Sequence, residues 1–318
     1  MGIKLEDIFK IHGNPIEEDN ESDDFEVFAY TQTLKYIRKE LLKPTILKNK
    51  NIQIFVVNNF EVNAHAIKLD ASEYVIIIKS GLIDFTIKTY GYDIDFLKEE
   101  LKLLGDHNDI MGLWVYITML YFAGHEFGHI INGHLEFSKD SYMIDEKSTT
   151  NILHMKSLPS SLKAKPDIFH HLLELNADRY SVTFLSQAFL NLLVKYKKDY
   201  DKDTLESLIE LITYNIYLTH YKFGFFDVKN KKYPTYFFRV YSILNDFPKV
   251  LNTLFKKDTH EKIIKAVDNA MYKIFDYLSD NDENFLNENI HKYNADISSL
   301  YTKEQKDFND FLKVYSFV

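Results

Sequence analysis

Positions 125–129 read His-Glu-Phe-Gly-His, within a longer run, HEFGHIINGH, that ends at His134. On a helix, residues four apart lie on one face about a turn from each other, so His125 and His129 can aim ring nitrogens at a common metal ion. Glu126 directly follows the first histidine. Its carboxylate is thereby set beside the metal's water rather than on the metal, where it can take a proton as general base. Further along, FHHLLELNADRYSV sets Glu174 and Asp178 four apart on a second helical pattern. Glu174 is the candidate third ligand, and a set of two His and one carboxylate leaves a fourth position open for water or substrate. Asp178 can accept the remaining ring N–H of a ligand histidine, which fixes its tautomer and raises its basicity. The chain has no cysteine, so a metal must sit on His, Asp or Glu, and the ligand set fits Zn²⁺.

The elements that must carry these residues can be read from periodicity. The apolar run Ile110 to Phe122 predicts a buried helix over about 109–132, and the second pattern a helix over about 167–195. Gly124 and Gly128 cost helix stability, roughly 1 kcal/mol each relative to Ala, which is tolerated where backbone, metal or substrate must come close. Gly133 is a natural stop. His134 falls off the ligand face and is expected to cap the helix end or contact the following loop. Short β-branched runs, Ile52 to Val57 and Tyr74 to Ile78, predict strands, the second closed by a turn at Lys79-Ser80-Gly81. A helix is expected over Phe25 to Leu42, ended by Pro44, after an acidic run, Glu17 to Asp24, that reads as a solvated loop. From about Asp93 the pattern is nearly all helical, with irregular interruptions at Phe137 to Pro166 and Gly224 to Pro234. The first of these reads equally as a flap over the site or as plain surface loop. The fold class is therefore α+β, mostly helical with a small mixed sheet. It divides into an N-terminal helical segment with the acidic loop (1–50), a domain carrying the chemistry (51–245) and a C-terminal helical extension packed on it (246–318).

Composition narrows the function. The 318 residues carry 38 Lys and Arg against 47 Asp and Glu, a net charge of −9. Nucleic-acid binders usually present a basic face, so no nucleic-acid partner is expected. With 10 Gly and 6 Pro, linker-rich and collagenous classes are excluded, and absent cysteine removes disulfide scaffolds and thiolate metal sites. Met1 to Gly13 lacks the apolar core of a secretion signal, and the apolar stretch from Ile110 to Gly124 is shorter than the roughly 20 residues that span a bilayer. A cytoplasmic protein with no membrane span is expected. Nothing in the sequence speaks to its oligomeric state.

HEFGHIINGH followed by ELNADRYS resembles the gluzincin metallopeptidases, and among them the HtpX-type and CAAX-prenyl-protease enzymes, whose pattern is HExxH and then ExxxD on a later helix. NIQIFVV from Asn51, the group Asn63-Ala64-His65-Ala66, and YVIIIKSGLIDF are similar to that family's strand, Asn-Ala pair and strand with Gly-Leu turn. Tyr233-Pro234-TYFF-Arg239-Val240 is similar to its HP-x4-RI segment, with Tyr233 where the family has His. The chain lacks the spanning helices of that family's best-known members, so it looks like a soluble relative. A further similarity, through the HExxHxxNGH string, is to phage-exclusion type bacterial peptidases, which would imply a defence or self-harming role. The resemblance implies a zincin-like fold and zinc-dependent hydrolysis of a protein or peptide, with His125, His129 and Glu174 on the metal. Tyr233 and Arg239 are then candidate oxyanion donors, or Arg239 a supporting partner of Asp178 or Glu174. Asn63, Ala64 and His65 would contact substrate, with Asn63 to Leu69 as the edge strand that an extended peptide joins. The rival reading is a non-catalytic regulator or sensor in which zinc only stabilises a binding surface. An unligated glutamate beside the metal favours the enzyme.

Overall fold

The computed structural model describes residues 3–18, 25–42, 50–136, 143–145, 162, 166–195, 202–224, 236–254, 260–281, 304 and 306–310. The architecture is mostly helical with a small mixed sheet. Strands β1 (Asn51–Val57), β2 (Ala64–Lys68), β3 (Glu73–Lys79) and the short β4 (Met143–Asp145) lie in the order β1-β3-β2-β4. β3 runs parallel to β1, pairing Ile76 with Ile54, and antiparallel to β2, pairing Ile76 with Ala66. Buried on both faces, β3 reads as an unbroken apolar run, as central strands do. The two-residue alternation of the strands splits their side chains cleanly. Ile54, Val56, Ala64, Ala66, Ile76 and Ile78 face the main helical core, while Val57, Ile67, Val75 and Ile77 face Ile8 of helix α1 (Leu5–His12).

Two sequence expectations are corrected here. β2 is not an edge strand, because β4 pairs antiparallel on its far side, Ala66 opposite Ile144. Nor does Lys79-Ser80-Gly81 make a turn, since the chain leaves β3 directly into α3 (Ser80–Tyr92). Glycine at 81 answers a crowding requirement instead. A Cβ there would stand 2.3 Å from the backbone oxygen of Phe60, which passes alongside.

Seven further helices complete the described chain: α2 (Phe25–Tyr36), α4 (Ile94–Glu100), α5 (His107–Ile131), α6 (Pro166–Lys195), α7 (Lys202–Gly224), α8 (Tyr236–Leu254) and α9 (His260–Asn281). α2 ends in a wide turn in which Leu42 N–H bonds Ile37 O at 3.0 Å. α5 starts where its sequence offers a cap. Asp106 accepts from the backbone N–H of Asn108 and Asp109, and the Asp109 carboxylate accepts in return from the Asp106 N–H. From Leu113 onward almost every α5 residue is buried, so the helix is an axial element rather than an amphipathic one. It lies against β2 and β3 on one side and packs along most of its length against α6. A polar bridge to α7 is satisfied within the core, Asn215 Nδ2 donating to Trp114 O at 3.0 Å and to Thr118 Oγ1 at 2.9 Å. Among the described residues no helix is long and apolar enough to cross a membrane.

Candidate metal centre

α5 presents His125 and His129 toward α6, and α6 presents Glu174 back. The approach is close because Gly124 and Gly128 lie at the crossing. A Cβ on Gly124 would stand 2.9 Å from Ser181 Cα, and one on Gly128 2.7 Å from Ala177 O. The glycines that cost α5 helical propensity thus admit the backbone of α6, one of the uses expected for them. At the crossing, His125 Nε2 lies 3.0 Å from His129 Nε2 and 3.2 Å from Glu174 Oε2, and His129 Nε2 lies 3.7 Å from Glu174 Oε1. Ligand atoms of a tetrahedral zinc stand roughly 3.3–3.6 Å from one another, given bonds of about 2.0–2.2 Å. The three separations straddle that value. His125 is 0% exposed, His129 1% and Glu174 3%. This trio is the one metal-capable group of His, Asp and Glu among the described residues.

Hydrogen bonding on the far side of each ring fixes which nitrogen faces the trio's centre. His125 Nδ1 lies 2.8 Å from Asp178 Oδ1 and donates to it, leaving Nε2 as the inward nitrogen. Asp178 is itself held from three directions. Arg239 grips it with two bonds, Nε to Oδ2 at 3.0 Å and Nη2 to Oδ1 at 2.9 Å, and the Tyr121 hydroxyl lies 2.7 Å from Oδ1. His220 Nε2 sits 2.9 Å from that hydroxyl, its Nδ1 donating to Ile216 O. Burial works to raise the Asp178 pKa, but the Arg239 charge and the His125 hydrogen bond outweigh it and hold the carboxyl well below the usual range. Burial likewise works against a charged His125, yet its bonds to Asp178 and Glu174 prevail and push it up to about 10. His129 is driven the other way, first by burial and then by the neighbouring His125 charge.

His129 has a different backing. Its Nδ1 lies 2.8 Å from His134 Nδ1, and His134 Nε2 lies 3.1 Å from Asn176 Oδ1. The helix ends at Ile131, and Gly133, at φ 71°, turns the chain so that His134 comes back beneath the ligand face. His134 is fully buried, which lowers its pKa to about 3 and keeps it neutral.

The other sequence-derived positions distribute as follows. Glu126 is buried, 1% exposed, next to His125 and outside the metal-capable trio. Arg239 reaches the site on the Nδ1 side of His125, 3.3 Å from that nitrogen, with its guanidinium occupied by Asp178 and Tyr121. It is a support, not a donor aimed at the trio's centre. Tyr233 lies outside the described residues, as do most of 137–166 and 225–235. Asn63 uses Oδ1 on the N–H of Ala64, and Ala64 faces the helical core across which α5 lies. His65 turns to the opposite face of the sheet, its ring 5.0 Å from that of His12, because neighbouring strand residues alternate sides. Tyr121, Asn176 and His220 are neighbours of the trio that pattern reading missed, and His134, expected to cap the helix end or contact the loop, instead stands behind His129. Tyr121 had a usable signal, standing four residues before His125 on the same face, whereas His220 had none.

No family model, curated protein or solved structure matches this chain.

Proposed function

We propose that this chain is a zinc-dependent metallopeptidase of gluzincin type, zincin-like around α5 and α6, hydrolysing a peptide bond of an intracellular protein or peptide. The observation that carries the reading is the buried convergence of His125 Nε2, His129 Nε2 and Glu174, each histidine backed by a hydrogen-bond partner that keeps its Nδ1 occupied. Such a trio suits zinc over harder cations, which prefer all-oxygen shells. Bound there, the ion would supply Lewis acidity to the scissile carbonyl and bring a water's pKa down toward about 7.

The chain's own residues do the rest. His125, His129 and Glu174 would hold the ion, a three-ligand set that leaves a fourth position for water or substrate. Glu126 takes the proton of the attacking water and then delivers it to the leaving amine, one carboxylate serving both half-reactions. The Asp178 carboxylate orients His125, and Arg239 with Tyr121 keeps that carboxylate ionised and in place. The apolar walls from α5 and α6 exclude bulk water, which strengthens each charge interaction inside. Tyr233, in the segment similar to the gluzincin HP-x4-RI pattern, is the proposed oxyanion donor.

The test is Glu126→Gln against wild type and Glu174→Ala. Wild type should retain about one equivalent of zinc through dialysis and cleave an unstructured protein such as casein. Glu126→Gln should keep the zinc and lose the cleavage by the ~10²–10⁴ that a general base contributes. Glu174→Ala should lose both. Cleavage by Glu126→Gln at the wild-type rate removes the assigned base, and zinc-loaded wild type inert on any peptide bond turns the reading toward a zinc-stabilised regulator.

A further inference from the structure

We propose that His134 is the positioning residue of the second ligand histidine, reading out Asn176 on α6 and imposing on His129 the tautomer that presents a bare Nε2 to the metal. This rests on the metal-centre reading above and adds to it a residue that the two-histidine, one-carboxylate pattern does not contain.

The argument is one of donors and acceptors along a chain of three side chains. Asn176 Oδ1 can only accept, so His134 Nε2, 3.1 Å away, must carry the hydrogen. A neutral imidazole has one N–H, so His134 Nδ1 is then an acceptor. The group facing it at 2.8 Å is His129 Nδ1, which must therefore donate. His129 in turn has its N–H spent on the outward side, and Nε2, 3.0 Å from His125 Nε2 and 3.7 Å from Glu174 Oε1, holds a lone pair. Asn176 stands two residues beyond Glu174 on the same helix. The helix that supplies the third ligand therefore also sets the proton position of the second one.

The two ligand histidines are thus backed unequally. His125 leans on an ionised carboxylate, which makes it electron-rich, whereas His129 leans on a neutral ring. Geometry makes the relay possible: Gly133 with its positive φ reverses the chain within four residues of His129, and His134 has no route to that nitrogen along a continuing helix.

Three measurements test this. In the metal-free wild-type protein, ring ¹⁵N signals should show His129 protonated at Nδ1 and bare at Nε2. The opposite tautomer overturns the proposal, and this readout needs neither zinc nor activity. His134→Phe keeps the ring's bulk and deletes the acceptor, so zinc affinity, read by competition with a chromophoric chelator, should fall ~10–100-fold, the usual effect of losing a ligand's hydrogen-bond partner. His134→Asn places an amide oxygen where Nδ1 was and should restore most of that affinity. Wild-type affinity in His134→Phe, or equal weakness in Phe and Asn variants that both fold by circular dichroism, overturns the proposal by reducing His134 to packing. Failure of wild type itself to hold zinc sinks the metal centre, while the ¹⁵N result still decides His134.

Discussion

At the scale of single residues, the site is governed by which proton sits where. Two imidazoles face each other at 3.0 Å across the trio, an arrangement that needs a cation or a shared proton between them. His125 is the one equipped to hold that proton, since Asp178 and Glu174 overcome its burial and lift its pKa to about 10. The sign follows directly. A group with a raised pKa must give up its proton to become a ligand, so zinc affinity should climb with pH up to about 10 and fall about tenfold per unit below it. Near neutral pH, zinc uptake should release about one proton from this ring, measurable as a dependence of binding enthalpy on the buffer's ionisation enthalpy. A buffer-independent enthalpy would show that His125 is already neutral.

At the scale of elements, the site exists because two helices touch backbone to backbone. The spacing of His125 and His129 is internal to α5, but the reach to Glu174 is set by how near α6 can come, and Gly124 and Gly128 set that distance. Alanine is the better helix former by about 1 kcal/mol at either position. Gly128→Ala should nevertheless destabilise by about 1–3 kcal/mol, since the new Cβ meets the Ala177 backbone at 2.7 and 2.8 Å and backbone cannot rotate away. It should also weaken zinc binding by moving Glu174 off. Chemical denaturation with parallel zinc titration checks both, and a Gly128→Ala protein more stable than wild type would show that the crossing is loose. Both helices were legible in the sequence to within two residues, α5 as His107–Ile131 and α6 as Pro166–Lys195, because apolar spacing and the Gly133 stop are local signals. The misreadings at β2 and at Gly81 have a different character. Whether a strand has a neighbour on each side, and what passes over a glycine, depend on segments distant in sequence.

At the scale of the whole molecule, the ligand residues are anchored by contacts that cross most of the chain. Arg239, on α8, meets Asp178 on α6 and Tyr121 on α5, and His220 on α7 closes the same network, so four helices converge behind His125. The Arg239 and Asp178 pair is buried, and losing one partner of such a pair leaves a naked charge that costs about 3–5 kcal/mol. Arg239→Met should therefore unfold at markedly lower denaturant than wild type, with Arg239→Met/Asp178→Asn recovering part of the loss because the stranded charge is gone. Equal stability of Arg239→Met and wild type would mean that water reaches Asp178.

The amino-acid order alone determined the helix bearing HEFGH, the helix bearing Glu174 and Asp178, the strand runs and the chemical class of the donors. Each of these follows from spacing within a few residues, where backbone geometry ties position to direction. The folded chain decided the rest: which of twelve histidines stand behind the ligands, that Arg239 supports rather than faces the trio, and on which side of the sheet His65 lies. Those outcomes depend on where α6, α7 and α8 settle against α5 and on the reversal at Gly133, and such distances between remote segments are fixed by packing, which no local spacing records.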